Sequence, residues 1–309
     1  MGEPVRIVLH PFHGPGLVEA LSASPKLTVA VPEDGDGVVE ELAAGGRGLI
    51  TFRWEDRFAS GAVEWIQAVS VGVEQFPEQL LRDRGIVLTS ASGAHTPAVS
   101  EHAIALMLAV VRMIGPAARG AAERVWQPVP AYEVSGRTMG ILGLGSIGET
   151  IAQKASALGM NVIGTKRETS RYEGIAVEVY PPDETLEVCS RSDVLVIALP
   201  DDPSTVGRVG EAELAALGAG WLVNVGRGSV VDEAALVYAL TEGRLRGAGL
   251  DVTVTEPLPD DSPLWDLPSV IITPHMGWSS DRLAGRLAKI TVANARALDE
   301  SAPWVNRVV

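Results

Sequence analysis

The stretch TMGILGLGSIGETIAQKASALGMNVIGTK, residues 138–166, decides the fold of this chain. A short apolar run over residues 139–142 leads into glycines with the spacing G-x-G-x-x-G, and a helical pattern follows them. Gly159 lies where that helix should end, and residues 161–164 form a second apolar run. Strand, glycine turn, helix and strand in this order predict a β-α-β unit of the kind that binds a dinucleotide. The glycines of the turn are Gly143, Gly145 and Gly148.

Each glycine of this turn has its own expected task. Gly143 permits the tight turn, Gly145 lets backbone N–H groups approach a pyrophosphate, and Gly148 lets the helix pack on the strand. The positive end of the helix dipole then faces the phosphates. The alternative is a tight turn with no ligand, but the strand before the glycines and the helix and strand after them favour a dinucleotide site.

The composition is that of a globular protein and argues against several partners. Its 309 residues fit two domains, and 46% hydrophobic with 21% charged residues are globular values. There are 25 basic and 39 acidic residues, so the formal net charge of −14 argues against nucleic acid or an anionic membrane surface as the main partner. The single cysteine, Cys189, allows no intrachain disulfide, and we interpret it as a small buried residue. We expect no metal site.

No targeting or membrane segment is expected from the sequence. The N-terminus shows no basic segment followed by a long apolar core, which argues against a signal peptide. No stretch approaches the roughly 18 uninterrupted apolar residues that a membrane span needs. The cytoplasm is therefore the default location that we expect.

Apolar runs alternate with helical patterns along most of the chain. Because each run is nearly continuous, we predict an α/β fold whose parallel sheets are covered on both faces. The glycine motif begins only after 142 residues, which indicates two Rossmann- or flavodoxin-like domains, the nucleotide domain being inserted into a discontinuous substrate domain. We expect the substrate domain over 1–96 and 281–309, the dinucleotide-binding domain over 97–280, and the site in the cleft between them. The predicted strands are 5–9, 27–31, 48–51, 66–69, 86–88, 139–142, 161–164, 177–179, 194–199, 221–225, 248–251 and 270–273.

One apolar helical pattern, residues 99–114, follows the break at Thr96-Pro97 and predicts a buried helix. Near its polar start lies His102, for which we favour a surface or interface position over a functional role. A later helix is expected to begin at an acidic cap, Asp232, and to stop before Gly243. The other helical patterns include residues 14–21, 38–44 and 280–300.

Three polar residues sit at the ends of apolar strands or just beyond them: Arg227, Glu256 and His275. Strand ends on one side of a parallel sheet face the same crevice. An arginine there offers a planar fork for a carboxylate, and a histidine paired with a carboxylate is an acid–base group. Because a nicotinamide cofactor would carry the hydride, the protein must supply a proton donor and an anion clamp. Each residue alone has an ordinary structural explanation, so the hypothesis rests on their combination with the dinucleotide turn.

Six blocks of sequence carry a further signal. They are SVGVEQ (70–75), TPAVSEHAIALMLAVVR (96–112), GILGLGSIG (140–148), NVGRGSVVDEAAL (224–236), GAGLDVTVTEPLPDDSPLW (247–265) and TPHMGWSS (273–280). In these blocks the chain resembles the D-isomer-specific 2-hydroxyacid dehydrogenases, the family that includes glyoxylate/hydroxypyruvate reductases and the D-lactate and phosphoglycerate dehydrogenases. The resemblance covers nearly the whole chain, and the blocks occur in the family's order.

The resemblance implies that a hydride passes between a nicotinamide cofactor and a small 2-oxo or D-2-hydroxy acid. It implies that His275 protonates the carbonyl oxygen, that Glu256 holds His275 oriented and charged, and that Arg227 binds the carboxylate. The backbone at Val71 and Gly72 is expected to cradle that carboxylate. The cofactor contacts that it implies are Asp251 beside the nicotinamide carboxamide, Pro200 and Thr205 along the cofactor, and Ser146 and Ile147 at the pyrophosphate.

One position departs from the family's pattern for NAD. NAD-preferring members carry an acidic residue at the end of the second strand, whereas this chain reads Gly164-Thr165-Lys166-Arg167. A carboxylate repels a 2′-phosphate, and Lys166 and Arg167 attract one. We therefore favour NADP(H), with NAD(H) possible. The alternative is that the two basic residues simply lie at a solvated strand end.

The sequence leaves the 2-oxo acid open, and glyoxylate, hydroxypyruvate and bulkier acids all fit. Trp278 follows the histidine block and is expected either to line the substrate pocket or to pack across a subunit interface. Trp54 and Arg57 lie after the third predicted strand, where substrate contact is plausible but an exposed loop is favoured.

Two other functions compete with the reductase. A catalytically silent nucleotide-sensing module of the same fold need not keep the Arg227, Glu256 and His275 set. A formate dehydrogenase needs no carbonyl protonation, so the histidine–glutamate pair argues against it. Family members are commonly dimers, so we expect a homodimer, with the apolar helix over residues 99–114 as a candidate interface.

Overall fold

The computed structural model describes residues 4–11, 16–59, 61–176, 178–300 and 302–309. The chain divides into two compact units, one formed by Met1–His95 with Ser280–Val309 and the other by Thr96–Ser279. That one unit binds the substrate and the other the dinucleotide stays a prediction.

Parallel strands alternate with helices throughout the described part of the chain. The strands are β1 Val5–Leu9, β2 Leu27–Ala30, β3 Gly48–Thr51, β4 Trp65–Ala68, β5 Val87–Thr89, β6 Thr138–Leu142, β7 Asn161–Thr165, β8 Glu178–Tyr180, β9 Val194–Ile197, β10 Trp221–Asn224, β11 Gly247–Leu250 and β12 Val270–Ile272. The helices are α1 Leu17–Ser22, α2 Gly35–Ala43, α3 Glu78–Arg84, α4 Thr96–Val111, α5 Ile114–Ala122, α6 Ser146–Ala157, α7 Thr185–Ser190, α8 Glu211–Leu217, α9 Glu233–Thr241 and α10 Leu283–Glu300. The predicted helix over 14–21 and strand over 177–179 fall partly outside the described residues.

Each unit is built on its own parallel sheet. In the first unit the strand order is β2-β1-β3-β4-β5, which is the flavodoxin order. In the second it is β12-β11-β10-β9-β6-β7-β8, the Rossmann order extended by one strand. The predicted α/β class with two Rossmann-like sheets is confirmed.

The first unit buries its sheet between helices. All residues of β3 and β4 are buried, including Trp65, whose indole N–H donates to the Thr89 hydroxyl at 2.8 Å. The C-terminal helix α10 contributes Leu287, Ala288 and Ala295 to the same core as β1 and α1. The first and last parts of the chain therefore share one hydrophobic core.

The second unit has an apolar cluster on each face of its sheet. Helices α4 and α6 pack on one face, and α7, α8 and α9 pack on the other. Strands β9, β10 and β11 are buried at every residue, as expected for parallel strands covered on both sides. The predicted cap of α9 is confirmed, because the Asp232 carboxylate accepts from the Ala235 amide at 3.0 Å.

The predicted helix over residues 99–114 corresponds to α4, Thr96–Val111, and a second helix, α5, begins at Ile114. Met113 lies between them with φ 58°, and Pro116 lies in the first turn of α5, where its missing N–H costs no hydrogen bond. No single helix in the described ranges is long and apolar enough to span a membrane, although α4 and α5 together, bent by 72°, meet the length and composition. Half of the α4 residues are buried in the core of their own unit.

Cys189 is the one free cysteine, and it lies fully buried in α7. Its burial raises the pKa of the thiol to about 12, and the charge of Glu213 acts in the same direction. The interpretation of Cys189 as a small buried residue is confirmed. Its high pKa leaves little of the reactive thiolate at neutral pH.

Candidate functional site

A cavity of about 450 Å³ lies at the carboxyl ends of three strands in the second unit. Its walls are residues 143–145 after β6, residues 165–168 at the end of β7, and residues 198–200 after β9. Strands β6 and β9 are neighbours in the sheet although they are not consecutive in the chain. This is the point where the strand order reverses and where open α/β sheets bind ligands. The other lining residues are Pro182, Thr185, Asp202, Ser204, Thr205 and Arg208.

The glycine turn fits a dinucleotide at this cavity. Gly143 has φ +100°, a conformation that a side chain strongly disfavours, and its position lets Thr165 accept from its amide. A Cβ at Gly145 would meet nothing within 4 Å, so the start of α6 is open to a ligand. The first amides of a helix have no partner within the helix and suit an anionic phosphate. Ser146, Ile147 and Gly148 form the first turn of α6.

Gly148→Ala is expected to lower the free energy of unfolding by about 1–3 kcal/mol through overpacking. A Cβ there would lie 2.0 Å from the Gly143 carbonyl oxygen, so backbone must move. Gly145→Ala is the matched control: its site is open and its φ of −88° is allowed for alanine, so stability should hold while NADPH binding weakens. Urea unfolding and a fluorescence titration with NADPH measure the two effects. Equal unfolding midpoints for the two variants would contradict the packing role of Gly148.

Three basic side chains lie on the cavity wall. The Lys166 Nζ donates to the Leu144 carbonyl oxygen at 2.7 Å, so this ammonium also braces the glycine turn. Arg167 is exposed at the same wall. Arg208 reaches the wall from beyond the β9 loop, and its Nη2 donates to the Ser204 carbonyl oxygen at 2.6 Å. This concentration of positive charge suits an anionic group.

Two carboxylates, Glu168 and Asp202, line the same cavity. The hydroxyl and the amide of Ser204 both donate to Asp202, at 2.6 and 2.8 Å. These bonds hold the pKa of Asp202 below its ordinary value, and the nearby charge of Arg167 adds to the shift. The Asp202 charge is thus compensated within its loop, which reduces its repulsion of a bound anion.

The loop after β9 brings Pro200 and Thr205 to the cavity. Thr205 is only 9% exposed, and its hydroxyl donates to the Pro200 carbonyl oxygen at 2.8 Å and accepts from the Asp202 amide at 3.1 Å. The Thr205 hydroxyl is therefore used to shape the loop. Pro200 is the more exposed of the two predicted cofactor contacts.

Arg227 follows β10 on a loop that is fixed by a buried amide. Asn224, 1% exposed, donates to the Arg227 carbonyl oxygen at 2.9 Å and accepts from the Gly226 amide at 3.0 Å. The guanidinium itself is half-buried and donates to the Gly226 carbonyl oxygen at 2.9 Å. The position of this arginine is thus set by main-chain and amide hydrogen bonds within its own loop.

Gly228 joins the arginine loop to the loop that carries Glu256. A Cβ at Gly228 would lie 2.0 Å from the Thr253 carbonyl, so only glycine permits this approach. The Thr253 amide in turn donates to Glu256 Oε1 at 3.2 Å. The loops that bear Arg227 and Glu256 are therefore in direct contact.

His275 and Glu256 form a hydrogen-bonded pair. The distance from His275 Nδ1 to Glu256 Oε2 is 2.7 Å, and both side chains are partly exposed, at 45% and 38%. Because Nδ1 is bonded to the carboxylate, Nε2 is the ring nitrogen that can face a substrate. A carboxylate-backed imidazole of this kind can donate or accept a proton. Among the described residues, no three His, Cys, Asp or Glu side chains gather closely enough to hold a metal ion.

The backbone of His275 is held by Asp251. His275 has φ 48°, a left-handed conformation that costs a non-glycine residue about 1–2 kcal/mol. Its amide donates to the Asp251 carbonyl oxygen, and the next two amides, of Met276 and Gly277, donate to the two carboxylate oxygens, all at 2.9 Å. Asp251 therefore supports the loop that carries His275. Its contact with the nicotinamide carboxamide stays a prediction.

The remaining predicted substrate residues lie in the first unit. Val71 and Gly72 follow β4, and the Ser70 hydroxyl donates to the Gly72 carbonyl oxygen at 2.6 Å. Val71 is 38% exposed. Contact of these two residues with a substrate carboxylate stays a prediction.

Trp54 and Arg57 have partners in their own neighbourhood. Arg57 is exposed and forms ion pairs with Asp36 and Glu55. The Trp54 indole N–H donates to Asp56 Oδ1 at 2.9 Å. The exposure of Arg57 agrees with the favoured interpretation of an exposed loop. Trp54 is half-buried and packs against the core of the first unit, so that interpretation is wrong for Trp54. Trp278 is 46% exposed, and its contact with a substrate or with a second subunit stays a prediction.

Two residues of the site were missed or misjudged from the sequence. Arg208 lies far along the chain from Lys166 and only the sheet order brings it to the same cavity, so no local pattern indicates it. His102 was expected at the surface or at an interface, and its side chain is 19% exposed and contacts Thr273 and Asp251 within the second unit. The reason is that α4 packs on β11 and β12, which places its first turns beside the ends of these strands.

Comparison with known proteins agrees with the geometry. The family model described as "D-isomer specific 2-hydroxyacid dehydrogenase, NAD binding domain" matches residues 104–277. The D-3-phosphoglycerate dehydrogenase of Mycobacterium tuberculosis is 33% identical over 306 residues, covering 92% of this chain. This chain spans 56% of the length of that relative.

Two further relatives match over most of their length. The glyoxylate reductase of Korarchaeum cryptofilum is 35% identical over 235 residues, which are 73% of this chain and 70% of that protein. The crystal structure of an NADPH-dependent glyoxylate/hydroxypyruvate reductase from Sinorhizobium meliloti, in complex with NADP and malonate, superimposes with a TM-score of 0.81 at 29% identity. It covers 100% of this chain and 97% of the other. The chain therefore belongs to the D-isomer-specific 2-hydroxyacid dehydrogenase family.

Proposed function

We propose that this protein transfers a hydride between NADP(H) and a small 2-oxo acid or D-2-hydroxy acid. The observation that carries the proposal is the 2.7 Å contact between His275 Nδ1 and Glu256 Oε2. The loop that bears Glu256 is in direct contact with the loop that bears Arg227. A proton donor and an anion clamp are the two functions that the protein itself must supply to a keto acid reduction.

In the proposed mechanism each of these residues has one task. Arg227 binds the substrate carboxylate through its guanidinium and orients the carbonyl group. His275 donates a proton from Nε2 to the carbonyl oxygen, and Glu256 holds the ring through Nδ1 and stabilises its charged form. A bound nicotinamide supplies the hydride. In the reverse direction His275 accepts the proton from the hydroxyl group.

The proposed cofactor is NADP(H). Lys166, Arg167 and Arg208 on the cavity wall support it, because the first two bring positive charge to the end of β7 and Arg208 adds a third charge to the same cavity. In a Rossmann unit the adenosine ribose and any 2′-phosphate bind at that strand end. Glu168 on the same wall is the observation that favours NAD(H) instead, because a carboxylate can bind the ribose hydroxyls.

The proposed substrate is a small 2-oxo acid of the glyoxylate or hydroxypyruvate type, with bulkier acids open. The glyoxylate reductase and the glyoxylate/hydroxypyruvate reductase among the relatives support this class of substrate, but not one particular acid. Residues at Val71 and Gly72 are proposed to contact the carboxylate, which requires the two units to meet around the substrate. We also propose a homodimer, which analytical ultracentrifugation tests directly.

An NADPH-oxidation screen across small and bulky 2-oxo acids tests the function. We expect turnover with at least one acid, and a kcat/KM that is higher with NADPH than with NADH. Tight NADPH binding without turnover on any acid would favour a nucleotide-sensing module. A higher kcat/KM with NADH would contradict the cofactor assignment and leave the reductase assignment standing.

A further inference from the structure

The Asp251 carboxylate lies behind the loop that carries His275 and is almost fully buried, with 4% of the side chain exposed. A buried carboxylate is stable only when its oxygens are hydrogen-bonded. Its Oδ1 accepts from the Met276 amide at 2.9 Å and from the Thr273 hydroxyl at 2.6 Å, and its Oδ2 accepts from the Gly277 amide at 2.9 Å. The carboxylate therefore ties the end of β12 to the loop that follows it.

His102 approaches the same carboxylate from α4. Its Nε2 lies 2.8 Å from the Thr273 hydroxyl oxygen and 3.1 Å from Asp251 Oδ1. Because the Thr273 hydroxyl gives its proton to Asp251, its oxygen must accept from His102, which places a proton on Nε2. His102 is thus a donor to Thr273, and the same ring nitrogen lies beside Asp251 Oδ1.

We propose that His102 is a positioning residue that holds Asp251 and Thr273 in the orientation that fixes the His275 loop. The inference rests on the proposed function only in treating His275 as the proton donor. The chain of contacts runs from α4 through the His102 imidazole to the Asp251 carboxylate, and from there to the amides on the C-terminal side of His275.

The loop needs such a support for two reasons. His275 has a left-handed backbone with φ 48°, so the surrounding contacts must hold a conformation that the residue itself disfavours. Gly277 packs tightly against the cluster: a Cβ there would lie 2.8 Å from Asp251 Oδ2 and 3.3 Å from His102 Cδ2. The imidazole therefore both donates to the Thr273 hydroxyl that binds the carboxylate and fills the space beside the loop.

Hydrogen–deuterium exchange of the protein without cofactor tests the proposal through peptides that cover residues 272–280. His102→Leu removes the donor at similar volume, and we expect the Met276 and Gly277 amides to exchange at least about tenfold faster. His102→Gln can supply an N–H to the same acceptors and should restore most of the protection. Peptides from β9 should keep their exchange rates in both variants, which separates a local effect from general loss of stability.

Kinetics provide the second measurement. We expect His102→Leu to lower kcat by about 10–100-fold, because a displacement of about 1 Å at a reacting group has effects of this size. The KM for NADPH should change little, since His102 does not line the cavity at β6, β7 and β9. His102→Gln should recover a large part of kcat.

Several outcomes separate this inference from the proposed function. Unchanged exchange at residues 276 and 277 in His102→Leu would overturn it. If that variant does not fold, Thr273→Val removes the hydroxyl between His102 and Asp251, and unchanged exchange in this variant would overturn it equally. If His102→Leu exchanges faster at these amides but the protein reduces no 2-oxo acid, the positioning role of His102 stands and the reductase function is refuted.

Discussion

Replacing His275 with alanine is expected to lower kcat/KM for 2-oxo acid reduction by about 10²–10⁴-fold, the typical contribution of a general acid. The chain should remain folded, because the His275 side chain is 45% exposed and its loop is held through main-chain amides bonded to Asp251. Circular dichroism and steady-state kinetics with NADPH measure the two properties.

His275→Asn removes a possible objection to the alanine variant. The backbone at this position has φ 48°, and asparagine tolerates that conformation better than alanine does. Asparagine cannot transfer a proton at neutral pH, so both variants should show the same loss of activity. A large loss of activity in His275→Ala but not in His275→Asn would show that the backbone conformation, and not proton transfer, causes the effect.

The partner residues provide further controls for His275. Arg227→Ala is expected to lower kcat/KM by at least about 10²-fold, because the guanidinium that would bind the substrate carboxylate through two hydrogen bonds is lost. Arg227→Lys should restore little of this activity, because an ammonium group cannot form the same pair of hydrogen bonds. NADPH binding should survive in all these variants, since His275 and Arg227 do not line the cavity at the ends of β6, β7 and β9 where we propose that the cofactor binds. A folded His275→Ala enzyme with a near-normal rate would remove His275 from its role.

The sequence predicts the parts of the site whose signals are local. The turn at Gly143 to Gly148 is readable because a strand, three glycines and a helix follow each other within 20 residues of one β-α-β unit. The cap at Asp232 is readable for the same reason, since its partner Ala235 lies three residues away. The parallel sheets follow from alternating apolar runs and helices, although the strand order within each sheet does not follow from periodicity.

The parts that were not predicted depend on contacts between distant residues. His102 and Thr273 are 171 positions apart in the chain, and only the packing of α4 on β12 brings them together. The Gly228–Thr253 approach likewise requires two neighbouring strand ends to be in register. The end of α4, by contrast, was predicted to within three residues, but the second helix that follows it, α5, was not predicted.

Arg167→Ala is expected to lower kcat/KM with NADPH by about 10–100-fold and to leave the value with NADH nearly unchanged. A hydrogen bond to a charged group contributes about 1.5–3 kcal/mol, and each 1.4 kcal/mol is a factor of ten. Arg167 is the exposed one of the three basic side chains on the cavity wall, so replacing it removes a charge without leaving a buried group unpaired. The ratio of the two kcat/KM values isolates the 2′-phosphate from every other contact of the cofactor.

Lys166→Ala is the instructive comparison, because the Lys166 ammonium also donates to the Leu144 carbonyl oxygen at 2.7 Å. Its loss is expected to disturb the glycine turn and therefore to weaken both cofactors, with a smaller change in their ratio than Arg167→Ala gives. Glu168→Gln should act in the opposite direction, because it removes a negative charge beside the expected phosphate and so favours NADPH. If Arg167→Ala leaves the ratio unchanged while Glu168→Gln impairs NADH, the wall recognises ribose hydroxyls and the cofactor is NAD(H).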